Sequence, residues 1–250
     1  YHKKLNLSSS AHKKHKNLET SVLQTADEIV VTSQKTKSLF LDLTTKPILV
    51  LTNGYDFEIT RDNTLDSKFT VSHIGSLLEG RNPSILWEVF SDLLKKFEDF
   101  AVAFQLNLIG SVSEEVMSAI CSFGLESYVC NIGYIPHKDV LEYQKKSQVL
   151  LLIEENSKET EYIIPGKLFE YMASKRPIIA IGPAASDIEK ILNQTRSGTY
   201  FRYDEKEVLR TLLLEHYETY KTQQLNVDSK GLEAYSRKSL TQELAQKLLK

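Results

Sequence analysis

The chain has 250 residues, 41% of them apolar and 26% charged, and its 31 Lys+Arg against 33 Asp+Glu leave a formal net charge of −2. That length buries a sizeable core in one large domain or two small ones, and so even a charge balance removes the electrostatic case for a dedicated nucleic-acid binder. Cys121 and Cys130 are too few for a disulfide framework or a four-cysteine metal site, and no run approaches the roughly 20 apolar residues that span a bilayer.

The chain opens at Tyr1 with neither an initiator methionine nor a signal peptide, and the expectation is a piece of a longer, cytoplasmic protein. Tyr1–Asn17 is polar and basic and reads as a loose segment. Lys13, Lys14, His15 and Lys16 within it allow peripheral contact with a membrane face, although such tails more often mean solvation. Leu18–Ala26 reads as a helix, Glu28–Thr32 as a strand, Gln34–Leu41 as a short helix and Pro47–Leu51 as a strand ending at Asn53-Gly54. Arg61–Lys68 is charged, lacks periodicity and reads as a linker.

From Phe69 the pattern alternates. Phe69–Gly75 is a predicted strand. Ser84–Phe100 is a predicted helix, with Ile85, Leu86, Val89, Phe90, Leu93, Leu94 and Phe97 on one face. Strands follow near Phe104–Ile109, Tyr128–Gly133, Gln148–Ile153 and Pro177–Ile181, with an edge strand at Thr199–Tyr203. Helices are expected at Glu114–Phe123 (closed by Gly124), Lys138–Lys146, Lys167–Ser174, Asp187–Asn193, Lys206–Lys221 and Gly231–Lys250. Repeated strand–helix units make the fold class α/β, a doubly wound parallel sheet of Rossmann type with long C-terminal helices, whose ligands sit beyond the carboxyl ends of the strands.

Three loops lie at such ends. In Ile163–Gly182, Pro165 and Gly166 lead into a helix opening with Lys167, where free N–H groups and a mobile cation suit an anion. Glu170, three residues on, lies on nearly the same face, and a carboxylate there suits the paired hydroxyls of a ribose. The plainer reading is a Pro-Gly helix start beside a solvated glutamate. In Gly75–Pro83, Gly75 and Gly80 free the backbone and Arg81 offers a two-pronged grip on phosphate; the plainer reading is a flexible loop with an exposed arginine. In Gly133–His137, Ile135 and Pro136 form an apolar ledge with free carbonyls, or an ordinary strand–helix turn. Neither GxGxxG nor GxxxxGK[ST] nor Gly-x-Ser-x-Gly occurs. His73 reads as a satisfied core residue, Cys121 and Cys130 read as buried thiols, and no metal site is expected among the six histidines.

In this order, Leu18–Ser33, the Asn-Gly-aromatic-Asp step in Val50–Asp56, Phe69–Pro83 and Pro165–Gly182 with its PGKLFEYMA run resemble the C-terminal half of a bacterial glycosyltransferase of group 1, family-four-like, built from two facing Rossmann-like domains (GT-B). The resemblance spans about residues 18–222. It implies that residues 1–65 are the end of an N-terminal domain with the hinge, and 66–250 the nucleotide-sugar domain. It implies a nucleotide-diphosphate sugar as donor, no cofactor and no metal. The diphosphate would face Gly75, Arg81, Gly166 and Lys167, the ribose Glu170, and the base Ile135 and Pro136. The partners it implies are an acceptor glycan or lipid-linked glycan and the chain's own N-terminal domain, which would supply any catalytic group; the process would be polysaccharide or glycoconjugate synthesis. Two positions depart from the family. Tyr162 stands where a first glutamate is usual, leaving Glu161 as the nearest acid for the donor sugar, and Ser76 replaces an arginine whose role passes to Arg81. A nucleotide-sugar 2-epimerase and a non-catalytic binding module on the same fold remain the alternatives.

Overall fold

The computed structural model describes residues 7–57 and 64–249. The chain begins with α1 (Ser9–Thr25), β1 (Ile29–Val31), α2 (Gln34–Leu41) and β2 (Ile48–Val50). β1 and β2 pair in parallel as a two-stranded sheet. The expected loose segment is helical from Ser9, because the Ser8 hydroxyl accepts from the Ala11 amide and caps α1. Nothing in that stretch has apolar periodicity, so the cap alone marks the start. Arg61–Asn63 of the expected linker lie outside the described residues, and Thr64–Lys68 form no regular element.

A second sheet has six strands: β3 (Phe69–Ile74), β4 (Phe104–Ile109), β5 (Val129–Gly133), β6 (Val149–Ile153), β7 (Ile178–Ile181) and β8 (Gly198–Phe201). All pair in parallel, in the spatial order β5-β4-β3-β6-β7-β8. The order reverses between β3 and β6, which opens a crevice at their carboxyl ends. Between the strands run α3 (Ser84–Lys96), α4 (Glu98–Ala103), α5 (Glu114–Ser122), α6 (His137–Lys146), α7 (Lys167–Ala173) and α8 (Asp187–Thr195), followed by α9 (Lys206–Lys221) and α10 (Arg237–Leu248).

Every residue of β3, β6 and β7 is buried. Their alternation divides the core in two. Leu151, Ile153, Ile179 and Ile181 pack with Phe90, Val116 and Leu213 of α3, α5 and α9. Leu150, Leu152, Ile178 and Ala180 pack on the other face with Leu168, Phe169, Met172 and Ile188 of α7 and α8. The continuous apolar text of β6 and β7 follows from having helices on both sides.

Three expectations need correction. The helix expected over Ser84–Phe100 breaks at Phe97, whose extended backbone (φ −126°, ψ 107°) separates α3 from α4. The last helix starts at Arg237, because Gly231 takes φ +64° and Leu232–Tyr235 forms a short 3-10 turn. Cys121 and Cys130 are exposed. α5 turns Val116 and Ile120 inward and Cys121 outward, and Cys130 lies on β5, the outermost strand. The chain also returns to its start: Tyr55 and Arg237 exchange backbone hydrogen bonds with Tyr235 and Tyr55, tying the segment after β2 to the start of α10.

Candidate functional site

The carboxyl ends of β3, β4 and β5 finish on Gly75, Gly110 and Gly133, all with positive φ. Gly75 N–H donates to the Ile109 carbonyl, and Gly110 N–H donates to that of Gly133. A Cβ on Gly110 would stand 2.6 Å from the Gly75 carbonyl oxygen, so the two loops touch through backbone. This fixes the floor of the crevice.

α7 is stapled to that floor. Tyr171 Oη accepts from the Ile74 amide at 3.0 Å and donates to the Ile74 carbonyl at 3.3 Å. Lys167, one turn earlier on the same helix face, donates from Nζ to the same carbonyl at 3.3 Å. Gly75 takes φ +117°, a backbone conformation that favours glycine, and a Cβ there would lie in contact with Lys167 Nζ at 3.4 Å. Lys167 is half-buried, and the desolvation of its ammonium lowers its pKa to about 8; Glu154 opposes the fall and Arg81 adds to it. The expected grouping of Gly75, Arg81 and Lys167 is therefore present in space. Gly166 immediately precedes α7, and a Cβ there would meet nothing within 4 Å, so its surroundings are open to a ligand.

Arg81 reaches across the crevice from the loop after β3. Its Nη2 lies 3.3 Å from Glu154 Oε2, and Nη1 lies 3.5 Å from the Ser76 carbonyl oxygen. Glu154, the residue following β6, is 2% exposed, and burial raises its pKa. Sequence reasoning missed it. The signal was there to read: an acid directly after an all-apolar strand, at the topological switch, opposite a glycine-ended strand. Tyr171 was missed as well, although a tyrosine inside an apolar helix face needs a partner for its hydroxyl.

Glu170 is turned toward α6 and is no simple solvated side chain. Oε1 lies 3.1 Å from His137 Nε2, and Oε2 accepts from Gln144 Nε2 at 2.9 Å. A carboxylate has lone pairs left beyond those two contacts, enough to accept from hydroxyls. Ile135 packs against the second core cluster, with Pro136 exposed beside it and Tyr134 90% exposed. Glu161 is not in this crevice network: its Oε2 pairs with Lys35 Nζ at 2.6 Å, while the Lys35 amide donates to Asp187 Oδ2. His73 on β3 is buried, as expected; neither ring nitrogen makes a hydrogen bond of standard geometry, although the backbone of Leu151 and Ser76 lies near enough to act on its titration. Burial and then the Lys167 charge hold its pKa well below the usual imidazole range, so it is neutral near pH 7.

Among the described residues no helix is long and apolar enough to cross a membrane, and no group of three His, Cys, Asp or Glu is placed to hold a metal ion. No curated protein matches the sequence. Solved structures do match in fold. One is HepE from Anabaena in complex with UDP, at TM-score 0.73 and 17% identity over 96% of this chain and 69% of that one. Another is sucrose-phosphate synthase from Thermosynechococcus elongatus, at 0.65 and 14% over 96% and 63%. A third is WaaG, a glycosyltransferase involved in lipopolysaccharide biosynthesis, at 0.63 and 14% over 93% and 67%. The chain thus spans between 63% and 69% of these proteins. At these identities the likeness establishes the fold, a Rossmann-like half of the GT-B arrangement. Residues 68–215, more than half of the chain, match the family described as glycosyl transferases, group 1, and the protein belongs to that family.

Proposed function

We propose that this chain is the donor side of a glycosyltransferase. The loops after β3 and β6 would hold the diphosphate of a nucleotide sugar, the Ile135–Pro136 backbone its base and Glu170 its ribose. The observation that carries this reading is Lys167: a half-buried lysine at the switch-point crevice, its ammonium held against Gly75 and the Ile74 carbonyl. α7 has only seven residues, so the helix dipole is a weak source of charge and the lysine is the main one. Departure of the sugar leaves charge on the diphosphate, and preorganised cations and N–H groups stabilise that charge as it develops. HepE, similar in fold, has been crystallised with UDP and with UDP and glucose, which supports a nucleotide-sugar donor here. In this reading the complete enzyme also has a preceding domain that carries the acceptor, a glycan or lipid-linked glycan, and works in the cytoplasm.

A thermal-shift panel with UDP, GDP, ADP, CMP, dTDP and NAD tests the donor site. A nucleotide at 100 times its dissociation constant adds about 2.7 kcal/mol, which raises the melting temperature of a chain this long by about 5–10 °C. One nucleoside diphosphate is expected to give that shift, and Lys167→Ala to abolish it. Glu170→Ala is expected to weaken it by about tenfold in affinity, the loss of hydrogen bonds to a charged acceptor. A diphosphate favours the protonated lysine, so affinity should fall as pH rises through the Lys167 pKa of about 8. A response to NAD alone overturns the transferase reading. A second reading, a binding module without transfer, is favoured by one observation: Glu161, the acid nearest the family's donor-sugar position, is committed to Lys35. Nucleotide binding by a full-length enzyme that turns over no donor would decide for it.

A further inference from the structure

Glu154 carries negative charge into a site that otherwise suits an anion. Its backbone is fixed from two sides: its N–H donates to the Ile181 carbonyl, and its carbonyl accepts from Tyr203 Oη at 2.8 Å. The side chain is 3% exposed and faces the crevice. Oε2 takes the long, 3.3 Å contact from Arg81, and Oε1 is buried with no hydrogen-bond partner. The charged and titratable groups around it are Arg81 from the loop after β3, Lys167 from α7, the neighbouring Glu155, and Tyr200 and Tyr203 from β8 and just beyond it. Two cations thus face one half-satisfied buried carboxylate, an arrangement that is costly unless something completes or replaces it.

Resting on the donor-site reading above, we infer that Glu154 is an internal counter-anion: it holds Arg81 in the empty site, gives it up to the incoming diphosphate, and takes a proton from solvent as it does so. The balance is simple. One proton leaves the buffer and binds the Glu154 carboxylate, no covalent bond to the nucleotide changes, and the diphosphate replaces the carboxylate as partner of Arg81. Burial already raises the Glu154 pKa, and a diphosphate in place of the guanidinium raises it further. Donor binding is therefore coupled to proton uptake at Glu154, separately from the titration of Lys167 near pH 8.

The experiment is a titration of the chain with UDP, GDP, ADP and inorganic pyrophosphate by calorimetry between pH 5.5 and 7.5, with wild type, Glu154→Gln, Glu154→Asp and Arg81→Ala compared. Glu154→Gln removes a like charge from beside the ligand and is expected to bind about tenfold more tightly than wild type at pH 7.5. The gap should shrink as pH falls toward 5.5, because burial already favours the protonated wild-type carboxyl. Glu154→Asp keeps the charge and should keep the wild-type slope. Wild type titrated in two buffers of different ionisation enthalpy should show proton uptake, which also gives a readout if the glutamine variant fails to fold. The ligand's own ionisation is common to all variants and cancels in their ratio. Equal affinities and equal slopes for wild type and Glu154→Gln, with Arg81→Ala still weakened, overturn the counter-anion and leave the donor site standing. Binding unaffected by Arg81→Ala, or no binding of any probe, overturns both.

Discussion

The six-stranded sheet and the two-stranded sheet are built from the same kind of unit, yet they differ in self-sufficiency. In the larger one, β3, β6 and β7 bury every residue between two helical layers. In the smaller one, each strand has three residues, and Leu18, Val22, Val30, Leu39 and Leu41 are 48–62% exposed around it. Parallel strands are stable when both faces are covered. The comparison teaches that the larger sheet carries its own stability and holds the crevice rigid, whereas the smaller one is held mainly by a small cluster of Leu23, Ile29, Val31 and Ile48 and by ties to its neighbour. Those ties include Lys35 to Glu161 and Asp187, the backbone exchange of Tyr55 with Tyr235 and Arg237, and the Tyr55 ring, which is buried in the second core cluster.

The largest effect should come from breaking the self-sufficient side. Phe169 is fully buried on α7, stacked at 5.4 Å on Tyr235, and it lies two residues from Lys167 and Tyr171. Phe169→Ala is expected to cost about 3–5 kcal/mol through the cavity it leaves, read as a drop in urea midpoint. It should also weaken nucleotide binding, because α7 positions Lys167. Second comes the join between the two regions. A Cβ on Gly54 would collide with the Tyr235 carbonyl oxygen and stand 2.7 Å from Leu240 Cδ1, and the nearer obstacle is backbone. Gly54→Ala is expected to cost about 1–3 kcal/mol. Its signature is faster amide exchange in α10 and β2 with β6 and β7 unchanged; a uniform change would show that the two regions unfold as one.

Acid should find the larger region as well. His216 on α9 is half-buried, and its pKa is lowered to about 4 by burial and by the Arg176 charge. Unfolding restores an ordinary value near 6.5. The folded form thus binds its proton less readily, so the contribution is complete above pH 6.5 and is lost as pH falls from there toward 4. For a half-buried group this amounts to about 2 kcal/mol, and the neutral buried His73 adds in the same direction. Urea midpoints at pH 7 and pH 4.5 should differ by less in His216→Gln than in wild type.

The same contrast explains which features are written in the sequence. β6 and β7 were legible because strands covered on both faces are written in unbroken apolar text, and so were the sheet class and the loops after the strands. Lys167, Gly75 and Arg81 were legible because helix starts and strand-end glycines advertise themselves locally. Glu154, Tyr171 and the Glu170–Gln144 pair were not, since each acts through a partner far along the chain, 26 residues away in the last case and 97 for Tyr171 to Ile74. The pairing of Glu161, one step in sequence from the family's acid, with Lys35, 126 residues away, was hidden for the same reason. The break of α3 at Phe97 was hidden because Phe97 continues the apolar face on paper while its backbone has left the helix.

The smallest predicted effect sharpens the comparison most. Val30 is the central residue of β1 and 48% exposed, between buried Ile29 and Val31. Val30→Ser gives up little buried area and some strand propensity, and is expected to cost under about 0.5 kcal/mol in this chain. The equivalent change at a position covered on both faces, such as Leu151 in β6, removes a fully buried side chain and leaves a hydroxyl without a partner, so it should cost several times more. If the preceding domain proposed for the complete enzyme also covers the β1 face, Val30 is buried there, and the same substitution in the complete enzyme should cost about 1–2 kcal/mol. The two urea midpoints, compared between the 250-residue chain and the longer protein, then measure how much of the small sheet's stability is lent by its neighbour. Equal costs in both settings would mean that β1 keeps its open face in the working enzyme and that the acceptor domain docks elsewhere.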